Sequence, residues 1–169
     1  MAKYITEVLK EINDDPALLM STYKMHGDGG PLGLIFRHAF MAEHKFLLPD
    51  GEPPYKKAAE PMGMTPARFI TETRKFYIFC RKDLSQIKRE TMFVQLLEGV
   101  HPDEAKIMMA IKDQTLTKLY PKITRSAIAA AGYIPPVTEE QIKEEAAEVK
   151  KSVRSRGRPR TLKSPQPAQ

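Results

Sequence analysis

His101-Pro102-Asp103-Glu104-Ala105-Lys106-Ile107-Met108-Met109-Ala110-Ile111-Lys112 is the stretch whose reading decides the fold. Proline suits the first turn of a helix, where a backbone N–H has no partner to lose, and His101 before it reads as a turn residue. Behind Pro102, the residues Ala105, Ile107, Met108, Met109 and Ile111 supply the apolar side of a helix. The same pattern of cap, proline and apolar helical spacing recurs in both directions along the chain.

Upstream, Asp83 is placed to cap a helix carrying Ile87, Thr91, Val94, Leu97 and Glu98, which stops at Gly99. Before it, Thr65-Pro66 opens a helix to about Arg81 that carries Phe69, Ile70, Phe76, Tyr77 and Phe79. From Leu48 to Met64 prolines and glycines crowd the chain, and regular structure is not expected there. Leu32 to about Ala42 reads as a helix, with Leu34, Ile35, His38 and Met41 on one side. Asp15-Pro16 opens another, through about Met25. Tyr4, Ile5, Val8, Leu9 and Ile12 recur at helical spacing in the first one. Downstream, Thr124 to Ala131 is a short alanine-rich helix ended by Gly132. Thr138-Glu139-Glu140-Gln141 is a capping box that starts a polar helix. Strand alternation is nearly absent. The expected fold is therefore all-α, a compact bundle of about six or seven short helices over residues 1–136. A polar helix or linker follows over 137–152, and a disordered basic tail over 153–169.

Bulk properties narrow the class. The 169 residues are 41% hydrophobic and 28% charged, which suits one soluble domain with a real core. No run approaches the roughly 18 apolar residues of a membrane span, and the N-terminus lacks the apolar core of a signal peptide. A cytoplasmic protein without a membrane partner is expected. The single cysteine, Cys80, allows no internal disulfide, and among Phe76, Tyr77 and Phe79 it reads as a core thiol. His26, His38, His44 and His101 fall into no ligand spacing, so no metal is expected. Gly27-Asp28-Gly29-Gly30 lacks the preceding strand and the Gly-Lys-Ser/Thr of a phosphate loop. No serine or cysteine stands in a nucleophile elbow, and no carboxylate pair stands apart from solvated helix faces. The chain is read as non-enzymatic, with no cofactor.

The net charge of +6 has one source. Lys150, Lys151, Arg154, Arg156, Arg158, Arg160 and Lys163 supply seven positive charges with no acid from Val149 onward. The remaining 20 basic residues face 21 acids, so residues 1–149 carry −1. Within the tail, Arg156-Gly157-Arg158-Pro159-Arg160 resembles the AT-hook, an arm that lies in the minor groove of A·T-rich DNA. Gly157 has no side chain to hold the backbone off the groove floor, and Pro159 biases Arg158 toward an extended form. The arginines then run along a groove that is narrow and strongly negative in A-tracts. Ser155 stands where the AT-hook usually has a proline.

In the body, Lys88, Arg89, Lys112, Lys118, Lys122 and Arg125, with Arg81-Lys82, are candidates for one phosphate-contacting face. A second resemblance bears on them. The Phe69–Arg81 helix, Met108-Met109 followed by Lys112-Asp113, and Gly132-Tyr133-Ile134-Pro135 are similar to the all-α N-terminal DNA-binding domain of phage-type ATP-dependent DNA ligases. Val8-Leu9-Lys10-Glu11-Ile12 and Leu47-Leu48-Pro49-Asp50-Gly51 extend that similarity over most of residues 3–136. Val94-Gln95-Leu96-Leu97-Glu98 and His101-Pro102-Asp103-Glu104-Ala105 also resemble small proteins of large tailed phages. The ligase domains carry a glycine where Thr115, Leu116 and Thr117 stand here, and a lysine near Ile128. The nucleotidyltransferase motif Lys-x-Asp-Gly is absent, which excludes a ligase.

These resemblances imply a stand-alone, phage-type DNA-binding accessory protein in the host cytoplasm. Its partner would be double-stranded DNA, with A·T-rich duplexes singled out by the groove chemistry. The alternative is a protein-interaction or virion-structural module, docked on a phage or host protein such as a polymerase or capsid, whose tail touches DNA nonspecifically. RNA binding has less support, because the aromatics stand in apolar helical runs and not on an exposed stacking platform.

Overall fold

The computed structural model describes residues 3–27, 29–136 and 138. The chain divides into two units, Met1–Pro136 and Val137–Gln169. Apart from Thr138, the expected polar helix and basic arm lie outside the described residues.

In chain order the helices are α1 (Ile5–Asp14), α2 (Leu18–His26), α3 (Pro31–Phe40), α4 (Phe69–Glu72), α5 (Phe76–Phe79), α6 (Gln86–Gly99), α7 (Pro102–Lys112), α8 (Leu116–Leu119) and α9 (Arg125–Ala131). Single 3-10 turns occupy Ala42–His44 and Thr73–Lys75. Among the described residues there is no strand. The fold is all-α and compact, as the periodicity predicts.

The stretch that opens the sequence reading forms the centre. Helix α7 packs against α1, α3, α6 and α8, and Ala105, Ile107, Met108, Ala110 and Ile111 are buried. A helix touched on several sides needs apolar residues around most of its circumference, which is why the run from Ile107 to Ile111 is nearly unbroken. Pro102 takes the first turn, and the His101 imidazole accepts from the Asp103 N–H at 3.2 Å. Glu104 in the same turn is buried.

A second cluster is aromatic. Phe46, Phe69, Phe76, Phe79 and Phe93 are buried, and Phe46 contacts Phe76, Phe79 and Phe93 with ring centroids 5.1–6.3 Å apart in tilted or edge-on poses. Such poses set positive ring edges against negative faces. The third packing centre is Tyr133. It meets Tyr23 and Phe36 edge-on, each at 5.1 Å, and its hydroxyl donates to Thr22 Oγ1 at 2.9 Å. The chain thereby leaves α9 docked onto α2 and α3.

Three boundaries differ from the sequence expectation, each for a local reason. The Thr65-Pro66 helix does not begin at its cap, because the Ala67 N–H bonds to Gly99 O at 2.9 Å. That bond holds the chain extended through Arg68, and the helix starts only at Phe69. Asp83 does not cap α6; its carboxylate is taken by Arg81, whose Nε donates at 2.9 Å. Ser85 caps instead, accepting from the Lys88 N–H. Helix α8, which the proline and glycine pattern does not signal, follows a left-handed turn at Gln114 with φ of 53°. The Gln114 amide justifies the strained turn by donating to Met41 O at 2.8 Å and His38 O at 3.2 Å, closing the end of α3.

Residues 45–68 form the irregular segment that prolines and glycines predict, but a tethered one. The Leu47 N–H bonds to Phe79 O at 2.9 Å. The Lys56 N–H bonds to Glu98 at 3.0 Å. At Gly63, with φ of 90°, a Cβ would lie 2.1 Å from the Tyr4 hydroxyl, so the segment also closes against the start of α1. It straps the helices from outside.

Candidate nucleic-acid contact surface

The six body cations expected to share a phosphate-contacting face do not behave alike. Lys112 is a correction. It is 2% exposed, and its ammonium donates to Pro49 O at 2.8 Å and to the Asp113 carboxylate. A buried ammonium with no acceptor would cost several kcal/mol, roughly the desolvation of one charge. Here the strap carbonyl and the neighbouring acid satisfy it, so the group faces inward and does not reach a phosphate. Arg89 is likewise engaged within the fold. Its guanidinium donates to Leu47 O at 3.0 Å, to Arg81 O at 2.9 Å and to Leu84 O. The fork geometry of arginine suits several carbonyls at once, and Arg89 joins the strap to the start of α6.

The other four lie elsewhere. Lys88 is exposed in the first turn of α6, and Lys118 is exposed on α8. Lys122 is exposed, with its backbone N–H on Asn13 Oδ1 at 3.0 Å and its ammonium 3.4 Å from Asp14 O, at the end of α1. Arg125 is half-buried at the start of α9.

A surface that the sequence reading missed lies on residues 69–81. Helix α4, the 3-10 turn and α5 keep right-handed helical backbone from one to the next, and their side chains sort into three sides. Phe69, Thr73, Phe76 and Phe79 are buried. Glu72, Lys75 and Ile78 border an open groove of about 330 Å³, whose other walls include Met92, Gln95, Leu96 and Gly99 of α6. Ile70, Arg74 and Tyr77 face outward, with Ile70 39% and Tyr77 59% exposed, and Arg81 is exposed just past the end of α5. Ile70 and Tyr77, counted from sequence among the apolar residues of this helix, are therefore surface residues. Ile70, Arg74 and Tyr77 stand at i, i+4 and i+7, the spacing of one helical side.

Charge follows the same segment. Residues 68–90 hold seven cations and three acids, while the rest of residues 1–136 holds 12 cations and 13 acids. The net positive charge of that unit thus lies in one contiguous piece of chain. Within it Lys75 pairs with Glu72 at 2.8 Å and Arg81 pairs with Asp83. Hydrogen bonding to Arg81 holds the Asp83 carboxyl below the usual carboxylate range. Arg68, Arg74, Lys82 and Lys88 are exposed with no acid at ion-pair distance among the described residues.

The buried titratable groups stand apart from this surface. His38 is 5% exposed and Nδ1 lies 2.8 Å from His44 O; a carbonyl only accepts, so Nδ1 carries the proton. Burial lowers the His38 pKa. The half-buried Cys80 thiol also donates to His44 O, at 3.3 Å, and burial pushes its pKa up. A thiol so placed is protonated and a poor nucleophile. Among the described residues no group of three His, Cys, Asp or Glu side chains is placed to hold a metal ion, and no helix is long and apolar enough to cross a membrane.

Residues 17–118 match a family of unknown function, DUF6433, over more than half of the chain. The chain belongs to that family. The matched span runs from the residue before α2 into α8 and so includes α7, the strap and the outward side of residues 69–81. It ends before α9 and before the basic tail. No curated protein and no solved structure matches the chain.

Proposed function

We propose that this is a non-enzymatic, phage-type DNA-binding accessory protein, working in the host cytoplasm, that holds duplex DNA through its basic arm and a cationic side of its helical unit. The observation that carries the reading is the arm itself, seven cations without an acid around Arg156-Gly157-Arg158-Pro159-Arg160. Arg156 and Arg158 would run along the minor groove, with Gly157 letting the backbone approach its floor. The resemblance of residues 3–136 to the ligase N-terminal domain supports DNA as the partner of the helical unit as well. There the surface cations Lys88, Lys118 and Lys122 stand for phosphate contacts, and Lys112 and Arg89 do not.

Magnitudes favour a two-part grip. An arm that neutralises roughly four phosphates gives a log–log salt slope of about −3.6 and loses ~100-fold in affinity between about 50 and 200 mM salt. Tethered to a second weak site, it gains up to ~10²–10⁴ in avidity. The test is deletion of residues 150–169, which takes the net charge from +6 to −1, with binding measured on A·T-rich and G·C-rich duplexes. The expected result is a large loss of affinity and a flatter salt slope. Unchanged affinity and slope would refute the reading.

One observation favours a second reading, a protein-interaction or virion-structural module. Residues 1–149 carry −1, whereas dedicated DNA-binding domains are usually basic overall. On that reading the arm contacts DNA without selecting it, and A·T-rich and G·C-rich duplexes bind equally.

A further inference from the structure

Tyr77 is an aromatic ring 59% exposed on a helical segment whose opposite side is locked in the core by Phe69, Thr73, Phe76 and Phe79. Arg74 stands three residues before it on the same side, and Arg81 follows just past the end of α5. Ile70 continues the side one turn further. Arg81 is held in place by its two-pronged pairing with Asp83. The start of α6, with exposed Lys88, is fastened to the same end of the stripe by the Arg89–Arg81 O bond of 2.9 Å. This is also the segment in which the net positive charge of residues 1–136 is concentrated.

We propose that the outward side of residues 70–77 is a contact site for an unpaired DNA strand, with the Tyr77 ring stacking on a base and Arg74, which has no acid at ion-pair distance among the described residues, meeting an adjacent phosphate. The proposal rests on the DNA-binding reading and adds a strand type to it. Exposed cations alone do not distinguish duplex from single strand, since both carry phosphates. The aromatic ring does. In a duplex the base faces are covered by their neighbours, so a flat ring on a convex helix finds nothing to stack on; in an unpaired strand every base offers a π-face. A tyrosine on a fixed helix also loses little side-chain freedom on stacking, having only two rotatable bonds.

The test uses the full chain and two labelled probes, oligo(dT) and an A·T-rich duplex of equal length, read by fluorescence anisotropy at one salt concentration. Tyr77→Ala should weaken oligo(dT) binding roughly tenfold, the size of one base–aromatic stack, and leave duplex binding unchanged. Tyr77→Phe should restore it. Arg74→Ala should reduce the single-strand salt slope by about 0.7. Because Tyr77 is mostly exposed, circular dichroism of these variants should match that of the unaltered chain. Oligo(dT) binding by Tyr77→Ala equal to that of the unaltered chain would overturn the proposal. So would an unaltered chain that binds duplex but not oligo(dT), which leaves the duplex reading standing. A chain that binds neither probe removes the DNA reading itself and this one with it.

Discussion

Lys112 and His38 are single side chains whose surroundings set their roles. Lys112 holds the strap to α7 through Pro49 O and Asp113. Lys112→Ala removes that bond, leaves Asp113 without its cation and opens a space beneath the strap. A stability loss of about 2–4 kcal/mol is expected in urea unfolding, with no change in the salt slope of DNA binding. A changed slope with unchanged stability would return Lys112 to the surface. His38 is buried in its neutral form, with its pKa lowered below the ordinary 6.5 chiefly by burial. Its unfolded form takes up a proton first as pH falls, so stability present above about pH 6.5 is lost below it. Thermal unfolding should show the melting temperature falling from neutral pH into mild acid, and His38→Gln should flatten that fall. Glu104 works in the opposite direction. Burial raises its carboxyl pKa, so its folded form holds a proton at pH values where the unfolded form has released it. It therefore adds stability as pH falls toward its ordinary value of 4.5.

At the scale of elements, the ends of helices are where local chemistry reads most plainly. Thr124 caps α9 by accepting from the Ala127 N–H at 3.3 Å. Gly132 ends it in the left-handed region at φ of 99°, where an added Cβ would also meet the Tyr23 ring at 3.0 Å. Gly132→Ala should therefore cost about 1–2 kcal/mol, more than Thr124→Ala at about 1 kcal/mol. Equal losses in chemical denaturation would mean that the ring moves aside at no cost. Both ends were legible in the sequence because capping involves neighbours a few residues apart. The sides of the helices were less so. Ile70 and Tyr77 share a segment with Phe69, Phe76 and Phe79, and an apolar count alone puts all five inside. A run that is partly 3-10 blurs the spacing, and only packing against α3 and α6 decides which side turns outward.

For the molecule as a whole, residues 1–136 carry the core, from Ile5 to Ile134. A chain ended at Pro136 should melt where the full chain does; a drop of about 4 °C, near 1 kcal/mol for a domain of this size, would show that the second unit contributes to stability. The sequence by itself determined that the protein is helical, where most helices begin and stop, and that the net charge sits in the last 20 residues, because each of these follows from short-range spacing or from simple counting. Tertiary structure alone decided which cations are structural. Lys112 and Pro49 are 63 residues apart, and Arg89 and Leu47 are 42 apart. No local pattern marks a lysine or arginine for burial; the carbonyls that satisfy it arrive only when a distant, irregular segment folds over the helices, and the same packing leaves Tyr77 facing water.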